Sequence, residues 1–255
     1  MSKILIVEDE EAIADLEKDY LELSDFEVDI CNSGDKGLKA ALDGNYDLVI
    51  LDEPTSFLDM RHKLQLLSIL KEMVNTKNIG VLMSLHELDL AQKISDTVVC
   101  VRGDRIDKVG SPETVFTSDY IAELYAVEKG SYDPLFGSME MPSVKGEPKV
   151  FVIGGGGTGV PIYRKLQRKG IPFAAGILWN HDIDYSVAKL LASEIVEGES
   201  YEPVKDATLE YAKALMDRCE SVVCTQSHFG SFNRCNEELL KKAKEEKKLK
   251  QITEL

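Results

Sequence analysis

Short, continuously apolar runs alternate with helical patterns through most of the 255 residues. The first half contains the runs KILIVE, DLVILD and IGVLMSL, and the second half contains KVFVIG and SVVCTQ. Strands without a polar face are buried on both sides, as they are in parallel sheets covered by helices. The pattern therefore predicts an α/β protein with parallel sheets.

The charge and cysteine content limit the partners and the compartment. A formal net charge of −15 repels a phosphate backbone, so we expect no nucleic-acid partner. No apolar run approaches the roughly 18–20 residues that a membrane span needs, and the start MSKILIVEDE does not resemble a secretion signal. Five cysteines without a CxxC pair fit a reducing compartment. We expect a cytoplasmic chain without membrane insertion; the sequence does not specify its oligomeric state.

A change in composition divides the chain. Residues 129–148 are rich in Gly, Pro and Ser and have no apolar periodicity, which is typical of a linker. We therefore predict one domain over 1–128 and a smaller Rossmann-like α/β domain over 149–255. The first should contain a parallel sheet and a hairpin edge strand from TVVCV-RGDR-IDKVG.

Acidic residues follow two predicted strands of the first domain. Glu8 and Asp9 come at the end of the first strand, and Asp52 ends the third. Because parallel strands bring their carboxyl ends to one edge of a sheet, these three carboxylates should cluster there. A hard divalent cation relieves the repulsion between them, which predicts weak Mg²⁺ binding.

Residues 1–52, with ILIVEDE and YDLVILD, resemble the N-terminal half of a response-regulator receiver domain. The resemblance implies that Asp52 accepts a phosphoryl group beside a bound metal. Ser84 stands where the family has a phosphate-contacting Ser or Thr. The family's lysine after the fifth strand is missing, and VVCVRGD offers Arg102 instead.

Residues 48–127 resemble the second half of an ABC-transporter ATPase domain. Three blocks carry this similarity in the family's order: VILDEPTSFLD, SLHELDLAQKISD and VRGDRIDKVGSPETVF. The resemblance implies that Asp52 holds Mg²⁺ through water and that Glu53 polarises the attacking water. It also implies that His86 senses the γ-phosphate. The extension to residue 255 resembles one that some ABC ATPases carry.

The family's upstream parts are replaced by the receiver half. The chain contains no G-x-x-x-x-G-K-[ST] loop, no ABC signature segment and no helical region that docks on a permease. Because phosphoryl transfer depends on positioning, we expect Asp52, Glu53 and His86 to be vestigial, nucleotide binding to be unfavourable, and the chain not to be an enzyme. The exchange at one shared strand is typical of an engineered chimera. Such a fusion of a receiver half and an ABC-ATPase half implies a flavodoxin-like parallel sheet of order 2-1-3-4-5 with an added hairpin strand.

Three hypotheses of function stay open at this point. The first is a folded chimera without inherited catalysis that binds Mg²⁺ weakly. The second is a phosphoacceptor protein that reacts at Asp52, although Glu53 adds negative charge where the phosphate would lie. The third is the nucleotide-binding ATPase subunit of an ABC transporter.

A glycine-rich turn follows the first strand of the second domain. In VFVIGGGGTGVP, Gly154, Gly156 and Gly159 form G-x-G-x-x-G between a strand and a helix, the context of a dinucleotide site. Asp182 lies near the distance expected for a ribose-binding acid. A run of four glycines also fits a tight strand–helix turn without a ligand.

Cysteines and a histidine also come close together near the C-terminus. Their spacing, C-x4-C-x3-H-x6-C, matches no common zinc site. Buried thiols and a surface histidine explain it better. The residues concerned are Cys219, Cys224, His228 and Cys235.

Overall fold

The computed structural model describes residues 1–254, and the chain divides into two compact units. Unit 1 is Met1–Thr114, and unit 2 begins at Val115. The domain boundaries predicted from composition, 1–128 and 149–255 with a linker between, stay a prediction. Among residues 1–254, no helix combines the length and the apolarity that crossing a membrane requires.

Unit 1 alternates strands and helices as the sequence predicts. Its elements are β1 (Lys3–Val7), α1 (Glu11–Glu22), β2 (Glu27–Cys31), α2 (Gly34–Asp43), β3 (Leu48–Leu51), α3 (Met60–Lys77), β4 (Gly80–Met83), α4 (Leu88–Ile94), β5 (Val98–Arg102) and β6 (Arg105–Gly110), with α5 (Pro112–Val115) at the division between the units.

The main sheet of unit 1 is parallel, with the strand order β2-β1-β3-β4. Leu5, Val49 and Leu51 pack on one face with apolar side chains of α2 and α3. Ile4 and Ile6 fill the other face. The flavodoxin-like parallel sheet is thus confirmed for these four strands, and β3 lies between β1 and β4.

β5 was predicted to be the fifth strand of this sheet, and it is not part of it. β5 pairs only with β6, in a separate antiparallel two-stranded sheet of the described residues. Cys100 is buried, whereas Val99 and Val101 are 44% and 61% exposed. A strand with one solvent face is typical of a hairpin, and not of a parallel strand buried on both sides.

Most of the large apolar residues of α1 and of its C-terminal end do not face the sheet. Ile13, Leu16, Tyr20 and Leu23 are all exposed. Ala14 is fully buried instead, and Leu21 packs against the apolar cluster around Ile4. Ala14 thus lets α1 approach the sheet and Leu21 packs inward, whereas the four apolar residues named first face outward.

Unit 2 continues the alternation after a short hairpin. Its elements are α6 (Ser118–Leu124), β7 (Ser131–Asp133), β8 (Ser138–Glu140), β9 (Val150–Ile153), α7 (Val160–Arg168), β10 (Phe173–Trp179), α8 (Ile183–Leu191), β11 (Glu194–Gly198), α9 (Asp206–Arg218), β12 (Ser221–Cys224), α10 (Arg234–Glu245) and the 3₁₀ turn Ile252–Glu254.

The parallel sheet of unit 2 has the order β11-β10-β9-β12, as expected of a Rossmann-like unit. Every residue of β9 and β10 is buried. The chain moves outward from β9 to β11 and then crosses to β12 on the other side of β9. The crevice between the carboxyl ends of β9 and β12 is therefore the switch point where such sheets bind ligands.

A buried amide interrupts the ladder of β10. The register with β11 shifts between Ala175 and Leu178. At this point Asn236, which is fully buried, accepts a hydrogen bond from the Ile177 N–H at 2.9 Å and donates one to its carbonyl at 3.0 Å. The side chain of α10 thus satisfies backbone groups that the sheet leaves unpaired.

Residues 129–148 contain regular structure. β7 and β8 pair antiparallel within this segment. Tyr132 and Asp133 are buried there, and Asp133 Oδ1 accepts hydrogen bonds from the N–H groups of Leu135 and Phe136. A side-chain-capped turn thus orders a stretch whose composition is typical of a linker.

Candidate functional site

The acidic residues predicted to cluster in unit 1 do line one cavity. Glu8 and Asp9 follow β1, and Asp52 and Glu53 follow β3. The cavity has a volume of about 460 Å³ and lies between the carboxyl ends of these strands, α2 and α3. The parallel strands therefore bring the receiver-like acids and the ABC-like glutamate to a single edge.

Glu8 is the most enclosed of these acids. Its relative exposure is 5%, and its Oε1 accepts a hydrogen bond from the Glu10 N–H at 2.8 Å. The other carboxylate oxygen, Oε2, is buried without a hydrogen-bond partner. A buried carboxylate oxygen without a donor is costly, so this atom favours a cation beside it.

Ser84, at the end of β4, connects Asp52 to Glu53. The Ser84 hydroxyl donates to Asp52 Oδ1 at 2.6 Å and accepts from the Glu53 N–H at 2.7 Å. Glu53 has a backbone φ of 39°, which is uncommon for a residue with a side chain. Ser84 therefore fixes both the Asp52 carboxylate and the turn that directs Glu53.

His86 contacts the carboxylate of Glu53. Nε2 of His86 lies 2.5 Å from Glu53 Oε1, and the Ser56 hydroxyl donates to Glu53 Oε2 at 2.8 Å. The contact with Glu53 raises the pKa of His86, and the contact with His86 lowers the pKa of Glu53. Both shifts favour an imidazolium beside a carboxylate in an exposed position.

Three residues that sequence reasoning did not single out tie the loop after Glu53 to α3 and α4. Thr55, only 1% exposed, donates from its hydroxyl to Glu87 Oε2 at 2.9 Å. Lys63 contacts the other oxygen of Glu87 and lowers the pKa of that carboxyl. Thr55 and Glu87 lie within two of the ABC-like blocks, whereas Lys63 lies between those blocks and no motif of the sequence marks it.

The donor chemistry of the edge fits magnesium. Glu8, Asp9 and Asp52 supply carboxylate oxygens to one cavity, and no hydrogen-bond donor contacts Glu8 Oε2. No group of three or more His, Cys, Asp or Glu side chains within residues 1–254 converges closely enough to hold a metal ion. Mg²⁺ often binds through one or two carboxylates and keeps its waters, and the carboxylates at this edge are of the type that would suit this mode.

The glycine-rich turn of unit 2 connects β9 to α7. Gly156 has a φ of 62°, and its N–H donates to both oxygens of Asp182 at 3.0 and 3.1 Å. Asp182 also caps α8 by accepting from the Asp184 N–H at 2.9 Å. A Cβ at Gly154 would lie 2.3 Å from the Tyr163 hydroxyl, so only glycine fits there.

A second carboxylate beneath the turn was missed in the sequence. Asp184 is fully buried, and it accepts from the N–H groups of Gly159 at 2.8 Å and Val160 at 3.3 Å. Burial raises its pKa despite these donors. The amides that would bind a phosphate in a dinucleotide site thus point at carboxylates of the same chain.

The cysteines near the C-terminus lie in apolar surroundings. Cys219 is buried and Cys224 and Cys235 are half-buried, all free of disulfides. Burial raises the pKa of Cys219 and of Cys235 to about 11. Such thiols are protonated at neutral pH, which disfavours metal ligation.

Comparison with known proteins finds similarity to ABC transporter ATP-binding proteins. The chain is 33% identical over 165 residues to an uncharacterized ABC transporter ATP-binding protein of Methanocaldococcus jannaschii, covering 64% of this chain and 55% of the relative. It is 27% identical over 169 residues to the cobalamin import ATP-binding protein BtuD of Halobacterium salinarum, covering 63% and 42%. The chain thus spans about half the length of such relatives.

Two further comparisons concern a family and solved structures. The model of the MJ0874 family matches residues 173–254. The response regulator TrrA of Thermotoga maritima is 31% identical, with 38% of this chain and 83% of that chain covered and a TM-score of 0.30. D-lactate dehydrogenase of Escherichia coli is 16% identical, with 95% and 80% covered and a TM-score of 0.26.

The ABC relatives correct one prediction. The chain was expected not to be an enzyme because its P-loop and signature segments are missing. Its relatives are ATP-binding proteins of ABC transporters, a class of ATPases, so that prediction is wrong. The same finding gives no support to the expectation that nucleotide binding is unfavourable.

Proposed function

We propose that the edge of unit 1 formed by Asp52, Glu53, Ser84 and His86 hydrolyses a magnesium nucleoside triphosphate, as part of an ABC-type nucleotide-binding subunit. The continuous contact from Asp52 through Ser84 and Glu53 to His86 carries this proposal. It brings together Asp52, a carboxylate that could bind a metal ion, Glu53, a carboxylate that could orient water, and the imidazole of His86.

Each side chain has a role that its contacts support. Glu53 is a carboxylate that can orient an attacking water and accept its proton, although the lowered pKa that His86 causes makes it a weaker base. His86, with a raised pKa, supplies positive charge where a γ-phosphate would lie. Ser84 holds the carboxylate of Asp52 in a fixed orientation.

The triphosphate itself would be held weakly. The 255 residues contain no P-loop lysine or glycine cradle for the β- and γ-phosphates. Magnesium, when bound through Asp52 with Glu8 or Asp9, neutralises phosphate charge. We therefore expect millimolar affinity and slow hydrolysis, since positioning contributes most to phosphoryl transfer.

Phosphate release from magnesium ATP by the purified chain tests this function. Glu53→Gln should reduce release to the buffer background, because the amide cannot accept a proton from water. Glu72→Gln removes one charge from an exposed position of α3 and is the matched control. Absence of release by the unaltered chain, or equal release by the Glu53→Gln variant, contradicts the proposal.

A second candidate function is phosphoacceptance at Asp52. The hydroxyl of Ser84, 2.6 Å from Asp52 Oδ1, lies where it would contact a phosphoryl group on that carboxylate. Glu8 and Asp9 line the same cavity. In this reaction an Asp52 oxygen attacks the phosphorus of a small acyl phosphate, and the acyl carboxylate leaves.

Intact-mass measurement after treatment with acetyl phosphate and Mg²⁺ tests the second candidate. The expected result is the gain of one phosphoryl group, lost in Asp52→Asn. An unchanged mass, or a gain that persists in Asp52→Asn, excludes phosphoacceptance at this residue.

We also infer that unit 1 is a fusion of a receiver half and an ABC-ATPase half at Asp52, as in an engineered chimera. Such a fusion requires β3 to pair with β1 of the first half and with β4 of the second, and both pairings are present. Leu5 of the first half and Leu70 of the second share one apolar cluster. A double-mutant cycle of Leu5→Ala and Leu70→Ala should give a coupling of at least about 0.5 kcal/mol, and strict additivity would contradict a shared core.

A further inference from the structure

The cavity at the acidic edge has walls that phosphate chemistry does not use. Beneath the acids, its lining is made by Val49, Leu51, Leu70 and Met73, which also belong to the core of unit 1. Its volume of about 460 Å³ falls within the range of small-molecule sites. Protein cores are otherwise closely packed, so an apolar space of this size can hold an organic group.

The opening of this cavity is negatively charged. Besides Glu8, the carboxylates of Asp9, Asp35, Asp52 and Glu53 line it. None of its lining residues, all within the described part of the chain, is Lys, Arg or His. The charge therefore favours a cation, and a phosphate would enter only together with a metal ion that offsets its charge.

Glu8 supplies an independent indication of a ligand. It lines the cavity, is 5% exposed, and leaves Oε2 buried without a hydrogen-bond partner. Its other oxygen accepts from the Glu10 N–H, so Oε2 is the oxygen whose hydrogen-bonding capacity is unmet. A cationic N–H group would relieve the cost of burying this oxygen.

An exposed aromatic ring lies at the same opening. Phe57 lines the cavity, is fully exposed, and has a backbone φ of 65°. An aromatic face next to a cationic group adds a favourable cation–π interaction. A bare metal ion would use neither this ring nor the apolar walls.

We propose that this cavity binds an amphipathic organic ammonium ion, with its apolar body against Leu51, Leu70 and Met73 and its ammonium group at Glu8. The site requires both parts of the ligand. This inference does not rest on hydrolysis at Glu53, and a binding measurement without nucleotide separates the two.

The test uses calorimetric titration of the full chain with phenylbutylammonium and with phenylbutanol, its neutral partner of the same shape. The ammonium ion should bind at least about tenfold more tightly, because only it can pair with Glu8. Butylammonium should bind more weakly than phenylbutylammonium, because it lacks the aromatic body. Equal binding of the amine and the alcohol, or no heat at millimolar ligand, overturns the proposal.

Glu8→Gln should weaken binding of phenylbutylammonium by roughly tenfold. Glu11→Gln, which removes an exposed charge nearby on α1, should leave it unchanged. Equal losses in the two variants would show a general charge effect and overturn the role of Glu8. The comparison of amine with alcohol needs no variant, so it decides the matter even if Glu8→Gln fails to fold.

Discussion

The imidazole Nε2 of His86 lies 2.5 Å from the carboxylate Oε1 of Glu53, and each group shifts the pKa of the other. His86 should titrate above its ordinary value of 6.5, and Glu53→Gln should return it towards that value. NMR titration of the imidazole carbon-bound protons measures the shift. Glu72→Gln is the control, and an unchanged His86 titration in Glu53→Gln would exclude the pairing.

The same pair sets a pH window for stability. The raised pKa of His86 adds stability that is complete below 6.5 and is lost as pH rises through the folded-state pKa. The lowered pKa of Glu53 adds stability that is present above 4.5 and is lost as pH falls through the folded-state pKa. The stabilisation removed by Glu53→Gln should therefore be largest between these two values. If the difference in Tm between the unaltered chain and Glu53→Gln grew above pH 8, this pH dependence would be contradicted.

Ser84→Ala should destabilise unit 1. The change removes the hydrogen bond to Asp52 and leaves the Glu53 N–H without its partner, at a cost of about 1 kcal/mol. Urea unfolding followed by circular dichroism measures the difference. Ser84→Thr keeps the hydroxyl and should retain most of the stability, so equal losses in both variants would point to packing instead.

Glu17→Gln should raise the Tm at neutral pH. Burial, together with the charges of Glu8 and Asp52, raises the pKa of Glu17. An acid with a raised folded-state pKa stabilises the fold at low pH, and this contribution is lost as pH rises through that pKa. The gain from Gln should therefore shrink below the ordinary pKa of 4.5.

Thermal unfolding at a series of pH values checks the Glu17 prediction. Glu11→Gln removes an exposed acid from the same helix and controls for net charge. A Tm gain that is the same at every pH would show that the raised pKa of Glu17 is not its cause.

Asn236→Ala should destabilise unit 2 strongly. Two buried backbone groups of Ile177 would lose their partners, which costs about 2–4 kcal/mol in the free energy of unfolding. Chemical denaturation measures this loss. The exposed Asn180→Ala is the matched control and should stay within about 0.5 kcal/mol of the unaltered chain. Equal effects of the two changes would refute the bridging role of Asn236.

The sequence predicts the parts of the fold that depend on continuous apolar runs. The strands β1, β3 and β4 follow from such runs, and the meeting of Glu8 with Asp52 follows from the common edge of parallel strands. The order of the strands came from the family resemblances and not from the runs. The place of β5 does not follow, because the run TVVCV gives no sign that Val99 and Val101 face solvent. Strand pairing depends on partners distant in sequence, which composition does not encode locally.

Side-chain partners were the least predictable part of the two sites. Asp182 was predicted as a ribose-binding acid, whereas in the structure it caps α8 and binds the Gly156 N–H. Asp184 has no distinguishing motif, and its burial beneath the turn depends on how α8 docks against β9 and α7. Likewise, the order within 129–148 comes from the hydrogen bonds of one aspartate, Asp133, to following amides.

The backbone amides of the glycine turn in unit 2 already donate hydrogen bonds to carboxylates. The amides of Gly156 and Gly159 are saturated by carboxylates that belong to the same chain. A diphosphate arriving there would have to expel Asp182 and Asp184 and then remain beside their charge, which is a double electrostatic penalty. An anion at this turn would therefore have to compete with two carboxylates that the chain itself supplies, although the glycine spacing is that of a nucleotide-binding turn.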